Sequence, residues 1–323
     1  MIGSATVFFD KWRWEDRQLS GKAYFVNRPT SYWPVGSLMD LPYLSYRLST
    51  YCMKIASIYY CRECRVSHHR RIKNLKNAFI ENPRNLRGAV SSREIGILED
   101  YSHKNIIKKP EHLVSLSRMA TEISKEWKNG RRLTVSFLGG KKEVKDRIIR
   151  HAKIWMEYAN IEFDFRQRKK PGDVRIAFDS EDGSWSLLGT ELLSEDKSLP
   201  TMNFGWLTPR TDDLEYNRVV LHEFGHTLGC IHEHERPDNG IPWDKPKVYA
   251  YYKKTDGWSK EEVDEQVFSK YDITQIRANK LDKKSIMMYP VPEQLTRGNF
   301  HIGWNNGLSE GDKKFIARLY PKT

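Results

Sequence analysis

From about residue 112 the order of apolar and polar positions becomes regular enough to assign elements. HLVSLSRMATEISKEW predicts a helix and NG a turn, and RRLTVSFLGG alternates as a strand that ends in paired glycines. In KKEVKDRIIRHAKIWMEYAN, the residues Val144, Ile148, Ala152, Trp155 and Ala159 recur at spacings of four, four, three and four. That is one apolar helical stripe, and it predicts packing on a sheet. IEFDFRQ and DVRIAFD alternate as strands, GSWSLLGTEL predicts a short edge strand and LPTMNFGWL another. One helix followed by several strands predicts an α+β domain, a mixed sheet with helices on one side. TDDLEYNRVVLHEFGHTLG then predicts a helix, with Asp212 and Glu215 spaced as a capping box and Gly229 as the stop. KEEVDEQVF predicts a helix, and SEGDKKFIARLYP a last one capped by Ser309 and ended by Pro321.

Residues 1 to about 110 show no sustained period, only aromatic clusters such as FFDKWRW and SYWPVG among basic patches. The expected division is therefore 1–110, a basic N-terminal region of unassigned structure, and 111–323, a folded domain. The charge follows this division: residues 1–130 hold 22 Lys+Arg against 12 Asp+Glu, and the rest is nearly balanced. With 323 residues, 39% of them hydrophobic, the chain can bury a proper core. It has no apolar run long enough to span a membrane, and MIGSATVFFDKWRWEDR lacks the basic and apolar regions of a signal peptide, so the sequence shows no export route. The cysteines are 52, 61, 64 and 230, which leaves one thiol after residue 130 and no internal disulfide there.

Candidate chemistry is concentrated in VLHEFGHTLGCIHEH, residues 220–234. Side chains four apart share a helical face, so His222 and His226 can present imidazole nitrogens to one metal ion while Glu223, one step round, reaches a water on that ion. Gly229 lets the chain leave the helix sharply, and His232 can return as a third ligand. Spacing alone also leaves His234 open as that ligand, because residues two apart in extended chain point the same way. Three protein ligands and one open position suit a catalytic zinc site rather than a closed structural one.

HEFGHTLGCIH resembles the HExxHxxGxxH signature of the metzincin zinc peptidases, and HEHER resembles its continuation in the astacin branch. LDKKSIMMY resembles the Met-turn, and LSEGDKKFIARLYP a matrixin-type last helix. The resemblance covers about residues 118–323. It implies a zincin (metzincin) fold with a mixed twisted sheet, long helices and a Met-turn. It further implies His222, His226 and His232 as the metal ligands of one catalytic Zn2+, Glu223 as the base and Tyr289 as the oxyanion donor. By the same match Met287 lies under the metal, Glu233 helps tie down a mature N-terminus, and His234 falls outside the pattern as a solvated neighbour. Three departures stand out: Met288 occupies a position where astacins have His, the disulfides of animal astacins are missing, and no FxGD or PRCGxPD latency motif precedes the domain.

The function expected from this resemblance is a zinc-dependent endopeptidase acting as a monomer on protein or peptide substrates, with no nucleic acid partner and no transmembrane segment. The family also suggests secretion. A competing class is a catalytically silent zinc-binding module acting through protein or nucleic-acid contacts. Intact Glu223 and Tyr289 argue against it, since a binding module needs no base beside an open zinc position. In the N-terminal region Cys61, Cys64 and His68 have a metal-like local spacing but lack a second ligand pair. The run RVSHHRRIKNLKN reads as a solvated charged face, and a propeptide or an extension is the expected role of residues 1–110.

Overall fold

The chain divides into a unit Met1–Tyr51 and a unit Cys52–Thr323, and everything described below lies in the second. The computed structural model describes residues 61–63, 70–88, 121–122, 125–166, 169–272, 276–277 and 281–322. In chain order its elements begin with strand β1 (Cys61–Glu63), helix α1 (Arg71–Glu81) and strand β2 (Thr121–Glu122). They continue with β3 (Arg132–Phe137), α2 (Lys142–Ala152), β4 (Glu162–Asp164), β5 (Val174–Ala177), β6 (Ser184–Ser186) and β7 (Met202–Phe204). The C-terminal part adds α3 (Asp213–Thr227), α4 (Lys245–Thr255), α5 (Lys260–Val263), β8 (Ile276–Arg277) and α6 (Glu310–Leu319).

Six strands form one mixed sheet in the order β1-β6-β7-β5-β3-β4. All its pairs are parallel except β6 with β7. The predicted stripe of α2 is buried throughout, and it joins Val219, Val220 and Phe224 of α3 and Leu133, Val135, Val174 and Ile176 of the sheet in one core. α2 itself stops at Ala152, and a 3-10 turn, Lys153–Glu157, carries Trp155 onward into that core. Edge-to-face packing of Phe163 against Phe224, with centroids 4.8 Å apart, locks α3 to the sheet. The α+β fold with a mixed sheet is as expected.

Several local expectations need correction. Of the helix expected over 112–127, residues 112–120 lie outside the described residues, and Thr121–Glu122 is strand, paired antiparallel with β8. That ladder partner is far off in sequence, so local periodicity carries no sign of it. GSWSLLGTEL is strand only over β6, after which Gly189–Leu193 turns as a 3-10 helix. The capping box at α3 is half formed: Asp212 accepts from Leu214 N, while Glu215 accepts from the Trp206 indole at 2.8 Å and pairs with Arg218. KEEVDEQVF splits into α5 and a π turn over Asp264–Phe268.

Part of the N-terminal region is built onto this domain. α1 buries Leu75, Ala78 and Phe79, and it is fixed by Lys73 and Asn77 donating to Ser194 and by an Arg70–Glu195 ion pair of 2.6 Å. β1 lies parallel against β6, whose other edge is held by β7. Cys64 and His68 lie outside the described residues.

A buried arginine shapes the loop before β7. Arg175 on β5 is fully buried, and its guanidinium donates to the carbonyls of Leu199, Gly172, Asp173 and Asp196 at 2.6–3.1 Å. Five donors in a fixed planar fork suit this cluster of carbonyls better than an ammonium would.

Candidate active site

α3 delivers the first two histidines one turn apart, in a stretch that is buried all round from Arg218 to Thr227. Its last carbonyls, orphaned at any helix end, have dedicated donors: the Trp127 indole to Thr227 O at 2.7 Å and the Tyr320 hydroxyl to Leu228 O at 2.8 Å. Gly229 then adopts φ +94°, a conformation disfavoured for side-chain-bearing residues, and the chain turns back with Cys230 N donating to Gly225 O. This reversal brings His232 to the other two.

The three rings converge. Their Nε2 atoms lie 3.1, 3.1 and 3.2 Å from one another, and all three residues are buried. Nδ1 of His222 donates to Ile286 O and Nδ1 of His226 to Cys230 O, both at 2.8 Å. Those bonds place the ring protons on Nδ1 and aim the Nε2 lone pairs at one point. Burial, and next the neighbouring His226, hold His222 well below the usual imidazole range. Lone pairs this close repel one another unless a cation lies among them. A tetrahedral ion with bonds of about 2.0–2.1 Å separates its nitrogens by about 3.3–3.4 Å, close to the spacing here. The residues present therefore fit a metal ion.

Glu223 is fully buried beside His222. Met287 is also fully buried and lies under α3 at Gly225, where an added Cβ would collide with its sulfur. Glycine is what allows the turn to approach so closely. The turn is tied to α6: Asp312 accepts from the Ser285 hydroxyl at 2.7 Å and from Ile286 N at 2.8 Å, besides capping α6 through Ser309 N. Burial pushes the Asp312 carboxyl up to about 6 against the opposing pull of these bonds. Since Ile286 O is the partner of His222, α6 orients a candidate ligand through one residue.

Glu233 N donates to Met287 O at 3.0 Å, and its carboxylate accepts from Asp282 N at 3.2 Å beside the Arg236 guanidinium, 3.7 Å away. Burial raises this carboxyl to about 7. His234 is 1% exposed, which corrects the expected solvated neighbour: its ring lies between Tyr289 and the π turn, and Nε2 is bonded to Gln266 O at 3.0 Å. Tyr289 is buried against His232, with centroids 4.3 Å apart. A shallow recess beside His222 is lined by Arg218, Met288, Tyr289 and Trp304. Of the sequence candidates, His222, His226, His232, Glu223, Met287 and Tyr289 are thus brought together. Trp127, Asp312 and Tyr320 are additions that the sequence reading does not single out. The S-x-x-D spacing at Ser309 signals a helix start, yet nothing local signals that Asp312 also holds the turn.

The family model described as Astacin, a peptidase family, matches residues 119–321. The astacin-like metalloendopeptidase of Gallus gallus is 29% identical over 168 residues, which is 49% of this chain and 36% of that protein; the chain thus spans little more than a third of the curated relative. The solved structure of myroilysin superposes with a TM-score of 0.62 at 44% identity, covering 63% of this chain and 99% of that one. With the matched span reaching from before β3 to the end of α6, the chain belongs to the astacin family of metzincin peptidases.

Proposed function

We propose that this chain is a zinc-dependent endopeptidase, and the observation that carries the reading is three buried imidazole nitrogens converging at 3.1–3.2 Å beside a buried glutamate on the same helix. The metalloendopeptidase named among its relatives supports it. His222, His226 and His232 would hold one Zn2+, which when bound supplies Lewis acidity and lowers the pKa of its water towards about 7. Glu223 takes the proton of the attacking water and returns it to the departing amine. Tyr289 donates to the oxygen that gains charge as the carbonyl is attacked; losing such a donor typically costs about 10² to 10³ in rate. An extended substrate adds to the edge of β6 that β1 occupies. The protein works as a monomer on protein or peptide substrates.

Glu223→Gln tests this directly. The variant should retain one zinc per chain and lose most cleavage of an unfolded protein, read as new peptide ends by mass spectrometry. Equal cleavage by parent and variant would refute the mechanism, and zinc binding without cleavage by either would favour the silent module.

The N-terminal region acts as a propeptide in this reading, supported by β1 taking the edge of β6 that a substrate strand needs. Arg62→Pro, in the middle of β1, disfavours that strand and should raise the rate on a short peptide; an unchanged rate would leave residues 1–110 as an extension.

A further inference from the structure

Tyr289 hangs from a rigid piece of backbone. Met288 before it is buried with Ile241, Val291 and Ile302, and Val291 forms a two-bond bridge with Ile302 at 2.8 and 2.9 Å. What this backbone leaves open is the direction of the phenol, which the side-chain torsions set. The ring faces three imidazoles, that of His222 the farthest at 6.1 Å between centroids. It is tilted by 42° on His232 and stacked on His234, with centroids 4.5 Å apart and planes 18° from parallel.

His234 is itself held on three sides. Asn239 Nδ2 donates to its carbonyl, its Nε2 donates to Gln266 O at 3.0 Å, and its ring lies 5.2 Å from that of His232. Gln266 belongs to the π turn Asp264–Phe268, whose Val267 is buried in a separate cluster with Val248, Tyr252, Trp258 and Leu295. Single π turns inside helices occur frequently at functional sites. His232, His234 and Glu235 could also group around a metal, but such an ion would need the second nitrogen of His232, whose Nε2 already faces His222 and His226.

We propose that His234 is the positioning residue of Tyr289: its imidazole is the plate that aims the phenol, and its bond to Gln266 ties that plate to the cluster around Val267. This rests on the reading of Tyr289 as the oxyanion donor. A donor gains its full effect only when aimed at the place where charge develops, so a fixed plate keeps the phenol from spending its time in other rotamers.

The test uses the full chain carrying 3-fluorotyrosine, with the resonance of residue 289 identified by its loss in Tyr289→Phe. His234→Ala removes the stacked ring and should move that resonance; His234→Phe keeps a plate and should leave it near the parent position. In kinetics, His234→Ala should lower kcat about tenfold, a fraction of a full donor's worth, with KM nearly unchanged, and His234→Phe should recover most of the loss. In the Tyr289→Phe background the same substitution should cost less than about twofold, since both changes act through one group. An unmoved fluorine resonance, an equal cost in both backgrounds, or His234→Phe behaving as His234→Ala would each overturn the proposal, as would two zinc ions per chain in the parent with one in His234→Ala. A parent chain that cleaves nothing would instead refute the peptidase reading, while the fluorine spectra still decide whether His234 sets the ring.

Discussion

His222 and His226 stand on a helix whose inner face is packed against an apolar core, whereas His232, Tyr289 and the turn at Met287 stand on chain with almost no repeating structure. On the first side, position comes from close packing of α2, α3 and the sheet, which resists displacement through many weak contacts. On the second, position comes from a few buried polar links: Asp312 to Ser285 and Ile286, Glu233 to Met287 and Asp282, and His234 to Gln266. Packing of the first kind degrades gradually when one group is removed. A buried polar link fails as a unit, because its loss strands partners that have no water to turn to.

This difference can be broken from either side. Asp312→Ala should give the largest effect. It strands Ile286 N, the Ser285 hydroxyl and the start of α6 together, for a cost of about 4 kcal/mol in urea unfolding, and it should weaken zinc binding by about 10- to 100-fold because the support of His222 goes with it. Ile148→Ala in the apolar half should cost about 3 kcal/mol yet leave zinc affinity of the folded protein unchanged. A shared loss of zinc affinity would show that the two halves are not separately built. Gly225→Ala probes the seam between them, since its methyl must displace the Met287 sulfur. Destabilisation of about 2 kcal/mol is expected, and a neutral result in thermal unfolding would mean that Met287 yields freely.

The same division explains how far the sequence can be read. The stripe from Val144 to Ala159 and the His222/His226 pair repeat at helical spacing, so their facing follows from periodicity alone. His232 is legible because a recognisable signature carries it. His234 is misread from sequence because a residue in a short irregular turn has no periodic partner to show which way it faces. Asp312 and Tyr320 escape notice for a related reason: their work is done on Ile286 and Leu228, residues that neither composition nor spacing connects to them. The strand at Thr121–Glu122 lies in a stretch that reads locally as helix, and only the chain near Ile276 determines otherwise.

Arg175 gives the fold a property unlike either half. Two segments whose carbonyls converge, as those of Gly172 and Asp173 before β5 and of Asp196 and Leu199 before β7 do, could be tied by a dissolved cation, and their order would then follow that cation's concentration. Here the positive charge is covalently part of β5. Its local concentration is set by the chain and is immune to dilution, so a chelator leaves these carbonyls their cation.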